Sequence, residues 1–190
     1  MTAAVPSSDE SSSLADIIGT LLSPSRDLAA VAPRLRGKRV LLRADLNLPL
    51  SADNSVVDTS RLDGVLPTLR LLVAAGAKLL VVSHLGRPSP KTQSREEMVA
   101  EFSLAPVATL LREALGSDTF KGLAPDCIGG EVEEAAAQLL DGEVLLLENT
   151  RFHAGDTAND DVFARALASL ADVYVNDAFG VCHRDQVWTC

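Results

Sequence analysis

The sequence predicts an α/β domain on a parallel sheet, and three observations carry that reading. Four apolar runs have strand length, at 39–43, 78–82, 143–148 and 173–177. Segments with helical periodicity lie between them, and strands that alternate with helices pair in parallel through right-handed crossovers. The third observation is that the runs discharge into polar clusters rather than simple turns. In an α/β sheet the C-terminal ends of the strands face the crevice where ligands bind.

The elements follow in order. Residues 1–30 read as a flexible tail: Ser-rich through Ser13, then a short helix at 14–22 that stops near Pro24. The first strand is 39–43, followed by a polar loop at 51–60 and a helix at 61–75. That helix repeats Leu62, Val65, Leu66, Leu69, Leu72 and Val73 at helical spacing, and Gly76 ends it. The second strand, 78–82, runs into Ser83-His84-Leu85-Gly86-Arg87-Pro88, where Gly86 lets the backbone turn and Pro88 stops regular structure. Residues 89–101 read as a polar loop, and Ser103 as the N-cap of a helix that reaches Leu115. A weaker strand falls at 119–123 and a helix at 131–140; the strand at 143–148 ends in Asn149-Thr150-Arg151-Phe152-His153. A last helix, at 160–171, leads to the strand at 173–177.

Composition narrows the functions. With 190 residues the chain can bury one good core, and 47% hydrophobic residues fit an ordinary interior. A net charge of −9 argues against nucleic-acid binding through bulk electrostatics. Of the 17 basic residues 13 are Arg, whose planar fork suits carboxylate and phosphate. Cys127, Cys182 and Cys190 have no metal-site or redox spacing and read as reduced thiols of a cytoplasmic protein. No run spans a membrane, and the N-terminus has neither a secretory signal nor a transit-peptide composition. A plastid setting is the alternative, should a leader have been lost.

On one sheet edge the fold would collect Asp45 and Asn47, His84 and Arg87, Arg151 and His153, and His183 and Arg184. Asp45 and Asn47, two apart, face the same side if extended, and Arg43 continues the alternation. Converging guanidiniums repel one another unless an anion sits between them, and Arg–phosphate contacts are charge-assisted and often bidentate. Asp45 suits a hydroxyl donor better than a phosphate. The implied ligand is small, multiply anionic and hydroxylated. Taken singly each residue has a bland role, Asp45 as a turn former and Arg61 as helix surface; the grouping carries the inference. The sequence has no GxxxxGK[ST], GxGxxG, HExxH or GxSxG motif. A site without an evident base suits phosphoryl transfer, where positioning and charge stabilisation dominate.

These residues fall in ordered motifs that resemble the phosphoglycerate kinase family: K-R-V-L-L-R-A-D-L-N-L-P, R-L-D-G-V-L-P-T-L, G-A-K-L-L-V-V-S-H-L-G-R-P, F-S-L-A-P-V-A, L-L-L-E-N-T-R-F-H and A-D-V-Y-V-N-D-A-F-G. They span about 35–184. The resemblance implies a Rossmann-like, three-layer parallel sheet with helices on both faces, at 31–190. This would be the N-terminal half of a hinged two-domain enzyme, truncated before the hinge and nucleotide domain. It also implies phosphoryl transfer between ATP and the carboxylate of 3-phosphoglycerate. By motif, Asp45 and Asn47 would hold the substrate's hydroxyl side. Arg61 would contact the carboxylate and stabilise the migrating phosphoryl group. His84, Arg87, Arg151 and Arg184 would hold the non-reacting phosphate, with Gly86 also a substrate-binding position. ATP or ADP and Mg2+ would serve the complete enzyme, with none held by this chain, and a monomer is expected.

Two departures stand out: Thr150 where Leu is usual, and Val181-Cys182 where Thr-Ala is commoner. The residues after Arg184 resemble a truncated or mis-spliced product. The competing reading is a non-catalytic domain that binds phosphoglycerate or a partner. A sugar-phosphate isomerase or aldolase is disfavoured, because no Schiff-base Lys or acid/base pair stands at a strand end.

Overall fold

The computed structural model describes residues 28–178. A one-turn helix α1 (Leu28–Val31) and a 3-10 turn precede β1 (Arg39–Ala44). Then come α2 (Ser60–Ala74), β2 (Lys78–Val82), α3 (Arg95–Phe102), α4 (Ala105–Leu115) and β3 (Phe120–Leu123). The chain continues through α5 (Gly130–Gln138), β4 (Val144–Leu146), a 3-10 turn at Thr150–Phe152, α6 (Ala154–Ala158), α7 (Asp161–Ala168) and β5 (Val173–Asp177).

The five strands form one sheet in the order β3-β4-β2-β1-β5, parallel throughout. Successive side chains on a strand point to opposite faces, so an apolar run on a central strand feeds two cores. Val40, Leu42, Leu79, Val81, Val144 and Leu146 face one way, against Leu62, Val65, Leu69 and Leu72 of α2 and Val107 and Leu111 of α4. Leu41, Leu80, Val82 and Leu145 face the other, against Val132 and Ala136 of α5 and Phe163 and Leu167 of α7. Helices thus cover both faces, and the expected three-layer architecture is present.

Two sequence expectations about residues 89–103 are overturned. Residues 89–101 are not all loop, for α3 occupies Arg95–Phe102. Ser94 and Glu97 form a capping box: the Ser94 hydroxyl accepts from the Glu97 amide at 3.2 Å, and the Glu97 carboxylate accepts from the Ser94 amide at 2.7 Å. The S-x-x-E pattern was visible, but only Met98 of this helix is buried, which leaves little apolar periodicity to read. Ser103 ends α3, and the N-cap of α4 is Leu104; Ser103 Oγ still accepts from the Ala105 amide at 3.1 Å. The helix expected at 14–22, Arg184, His183, Cys182 and Cys190 lie outside the described residues.

Candidate functional site

Sheet order decides which loops meet. β4, β2 and β1 are neighbours, so the segments that leave their C-terminal ends share one stretch of edge. Side-chain hydrogen bonds then tie those segments together. Buried Ser83, just past β2, donates its hydroxyl to the Ala44 carbonyl at 2.8 Å and accepts from the Leu46 amide at 3.1 Å. Asn149, fully buried past β4, donates to the Leu85 carbonyl at 2.8 Å and the Phe102 carbonyl at 2.9 Å. Its Oδ1 accepts from the Arg151 amide at 3.1 Å.

Gly86 is the hub of the arrangement. Its amide donates to Asn47 Oδ1 at 2.8 Å, and its carbonyl accepts from Arg151 Nη1. Both groups of one residue are therefore held, from β1 on one side and β4 on the other. Its φ is +62°, and a Cβ there would stand 2.5 Å from the Phe102 ring. Arg151 is also steered by Asp156, which is 2% exposed and lies 3.7 Å from Arg151 Nε. Across the loop, Arg61 from the first turn of α2 places Nη1 2.7 and 2.9 Å from the two oxygens of Asp45.

A cleft of 710 Å³ opens at this edge, lined by Asn47, Asp58, Arg61, Gly86, Glu101 and Phe102 among others. A groove of 560 Å³ nearby, against Val99, Pro106 and Leu110, has Glu101 as its one charged lining residue and offers an anion no cation. Among the described residues, Arg61 is the cation lining the sheet-edge cleft, beside the acids Asp58 and Glu101.

The expected residues are thus partly assembled. Asp45 with Arg61, and Gly86 with both Asn47 and Arg151, are in direct contact. His84 is buried at 8% exposure, whereas Arg87 is exposed. Arg43 is buried, on the same strand face as Leu41. His153 turns away from the cluster expected for it: its Nε2 lies 2.7 Å from Asp126 Oδ1, in the loop after β3, and its ring stacks on Phe163 at 5.4 Å. Sequence reasoning missed Ser83, Asn149 and Asp156. Ser83 and Asn149 each stood at a strand end, and that position was the available signal.

Fold and site together define a parallel α/β domain whose sheet edge brings Asp45, Asn47, Arg61, Gly86 and Arg151 beside one cleft. The phosphoglycerate kinase family model matches residues 30–190, and the chain belongs to that family. Curated relatives include the phosphoglycerate kinase of Chlorobium chlorochromatii (strain CaD3), 52% identical over 154 residues, which cover 81% of this chain and 37% of the relative. The cytosolic phosphoglycerate kinase of Triticum aestivum is 49% identical over 155 residues, which cover 82% and 36%. Among solved structures, phosphoglycerate kinase from Coxiella burnetii superposes with a TM-score of 0.66 at 33% identity, covering 81% of this chain and 36% of that one. The enzyme from Pyrococcus horikoshii OT3 gives 0.67 at 31%, covering 80% and 36%. The chain thus spans about 37% of the length of the first of these relatives.

Proposed function

We propose that this chain is the substrate-binding part of a phosphoglycerate kinase, which transfers a phosphoryl group between ATP and the carboxylate of 3-phosphoglycerate to give ADP and 1,3-bisphosphoglycerate. The observation that carries the reading is the Asn47–Gly86–Arg151 linkage beside the Arg61–Asp45 pair, on one edge of a family-matched sheet. His84, Arg87, Arg151 and Arg184 receive the non-reacting phosphate. Gly86 sets the backbone against it, and Asp45 and Asn47 face the hydroxyl. Asp156 and the Gly86 carbonyl hold the Arg151 guanidinium in orientation before substrate arrives, which lowers the ordering cost of binding.

Arg61 has the catalytic role. Its side chain is 49% exposed and its partner Asp45 20% exposed, and such a pair is worth at most about 1 kcal/mol. Arg61 can therefore leave Asp45 for the substrate carboxylate and the transferring phosphoryl group at small cost. The attacking carboxylate has a pKa of roughly 3.5 to 4 and is already ionised near neutrality, so no general base is needed.

ATP and Mg2+ act in the complete enzyme, where the metal neutralises phosphoryl charge. The described cleft does not fit them. Asp45 is held by Arg61, Asp58 accepts from Ser60, and Glu101 accepts from Gln93. No step is routed through either group here. The reading includes a monomeric, cytoplasmic protein. Support for the compartment is the free, buried thiol of Cys127 and the cytosolic wheat relative. No helix among the described residues is long and apolar enough to cross a membrane.

Calorimetry on the 190-residue chain tests the proposal. Binding of 3-phosphoglycerate should be measurable and should weaken with salt, as the Debye length shrinks from about 10 Å at 0.1 M. Arg87→Ala and Arg151→Ala should each cost roughly 1.5 to 3 kcal/mol of binding, as expected for charge-assisted hydrogen bonds. A folded chain that gives no heat at either salt concentration overturns the reading.

A further inference from the structure

The outer end of the same sheet edge holds a second cluster, which the phosphoryl-transfer reading does not use. β3 lies beside β4, so the loop after β3 meets the segment after β4. There Asp126, Cys127 and His153 place a carboxylate oxygen, a thiol sulfur and an imidazole nitrogen within 4.8 Å of one another. None of the three lines the anion cleft. We propose that Asp126, Cys127 and His153 form a binding site for a thiophilic divalent cation of the Zn2+ type, with water in the fourth position.

The donor set selects the ion. Ca2+ and Mg2+ require shells of oxygen, whereas one sulfur, one nitrogen and one oxygen suit Zn2+ or Co2+. A tetrahedral site with bonds of about 2.0 to 2.3 Å sets its ligand atoms about 3.3 to 3.6 Å apart. The His153–Asp126 contact of 2.7 Å would open by about half an ångström, and the hydrogen bond would become a shared metal. Access is one-sided. The side chains of His153 and Asp126 are 27% and 31% exposed, while Cys127 is fully buried behind them. The ion would enter from solvent between carboxylate and imidazole and meet the thiol at the inner wall.

The surroundings bear on affinity. Arg95 lies 3.2 Å from Asp126 Oδ2 and over the Phe152 ring at 4.7 Å, while Oδ1, which accepts from the Cys127 amide at 2.7 Å, is the oxygen that faces His153. Burial, followed by the charges of Asp126 and Asp156, pushes the Cys127 thiol up, and a metal must displace its proton. In that step the S–H bond breaks, the proton goes to solvent and the sulfur lone pair forms the metal–sulfur bond. The bound ion would join the loops after β3 and β4 and so raise the melting temperature through linkage.

A Co2+ titration of the full chain in a C182S/C190S background, where Cys127 is the one remaining thiol, tests this. Thiolate-to-cobalt absorption should appear in the near ultraviolet at one equivalent, with tetrahedral bands in the visible that Zn2+ removes. C127S should abolish the near-ultraviolet band. His153→Gln and Asp126→Asn, both at half-exposed positions, should keep the circular dichroism of the parent. They should weaken Co2+ by about 100-fold or more, beyond the 10- to 100-fold typical of outer-shell partners. A folded parent with no thiolate band overturns the proposal, as does a band that survives C127S. So does unchanged affinity in folded His153→Gln and Asp126→Asn. The optical signal is independent of 3-phosphoglycerate, so failure here leaves the phosphoryl-transfer reading untouched.

Discussion

Arg61 reaches from the first turn of α2 to grip both carboxylate oxygens of Asp45, at 2.7 and 2.9 Å. The one cation among the described residues lining the cleft therefore starts out bonded to Asp45, and a ligand that takes up Arg61 exchanges with that carboxylate. Asp45→Asn should consequently separate two kinds of ligand. Inorganic phosphate should bind the variant more tightly, by up to about 1 kcal/mol, the worth of an exposed pair. 3-Phosphoglycerate should lose affinity, because its hydroxyl loses a charged acceptor. Competition calorimetry reads both, and parallel changes for the two ligands would show that Asp45 only restrains Arg61.

Gly86→Ala should distort the loop. The residue sits at φ +62°, where a side chain is strained, and the added Cβ would meet the Phe102 ring at 2.5 Å. We expect roughly 1 to 3 kcal/mol of lost stability in urea unfolding. A fall in phosphoglycerate affinity should accompany it, because the contacts with Asn47 and Arg151 both move. Parent-like affinity in a folded variant would remove Gly86 from the site.

Asn149→Ala should be among the more damaging single changes. Asn149 is fully buried and satisfies the Leu85 and Phe102 carbonyls and the Arg151 amide. Each buried group left without a partner costs about 1 to 3 kcal/mol. Asn149→Asp would keep the acceptor and lose both donors, so it should not rescue. A loss under about 0.5 kcal/mol would show that water replaces the amide.

Asp172 gives the pH dependence. Burial works against its ionisation, but the Arg39 amide at 2.9 Å and the Arg39 guanidinium at 3.2 Å outweigh it and hold the carboxyl below 3.8. A depressed folded-state value stabilises the fold above the unfolded pKa, and that contribution disappears as pH falls through the folded one. Asp172→Asn should therefore be less stable than the parent at pH 7 and converge with it once pH falls below the depressed folded-state value. A constant difference across the range would mean that the effect is not ionic.

Turnover is the remaining test. A polypeptide of these 190 residues should bind 3-phosphoglycerate without phosphorylating it. Positioning ATP in line with the carboxylate can be worth about 7 to 11 kcal/mol, and on the proposed reading this chain supplies only the acceptor side. In a full-length enzyme, Arg61→Ala should lower kcat more than it raises KM, the mark of a transition-state contact. Turnover by the 190-residue chain alone, abolished by Arg61→Ala, would make this part sufficient.

The sequence by itself determined the fold class, the strands and the edge on which chemistry-bearing residues gather. Uniformly apolar runs such as 79–82 must be buried on both faces, and the helices between the strands are amphipathic enough to supply both layers. The family motifs singled out Asp45, Asn47, Arg61 and Arg151 as expected substrate-site residues, and the structure sets them on one sheet edge. Tertiary structure decided the rest. Helix α3 rests on a capping box and one buried side chain, so its hydrophobic pattern was too weak to read. The roles of Ser83 and Asn149 depend on which backbone groups lack partners where β1, β2 and β4 meet, and no single segment contains that information. The same holds for His153, read as part of the arginine cluster until the order β3-β4-β2 set it beside Asp126 and Cys127. Strand order in a parallel sheet follows from how the crossovers close over two cores, a property of the whole chain, and it alone decides which loops become neighbours.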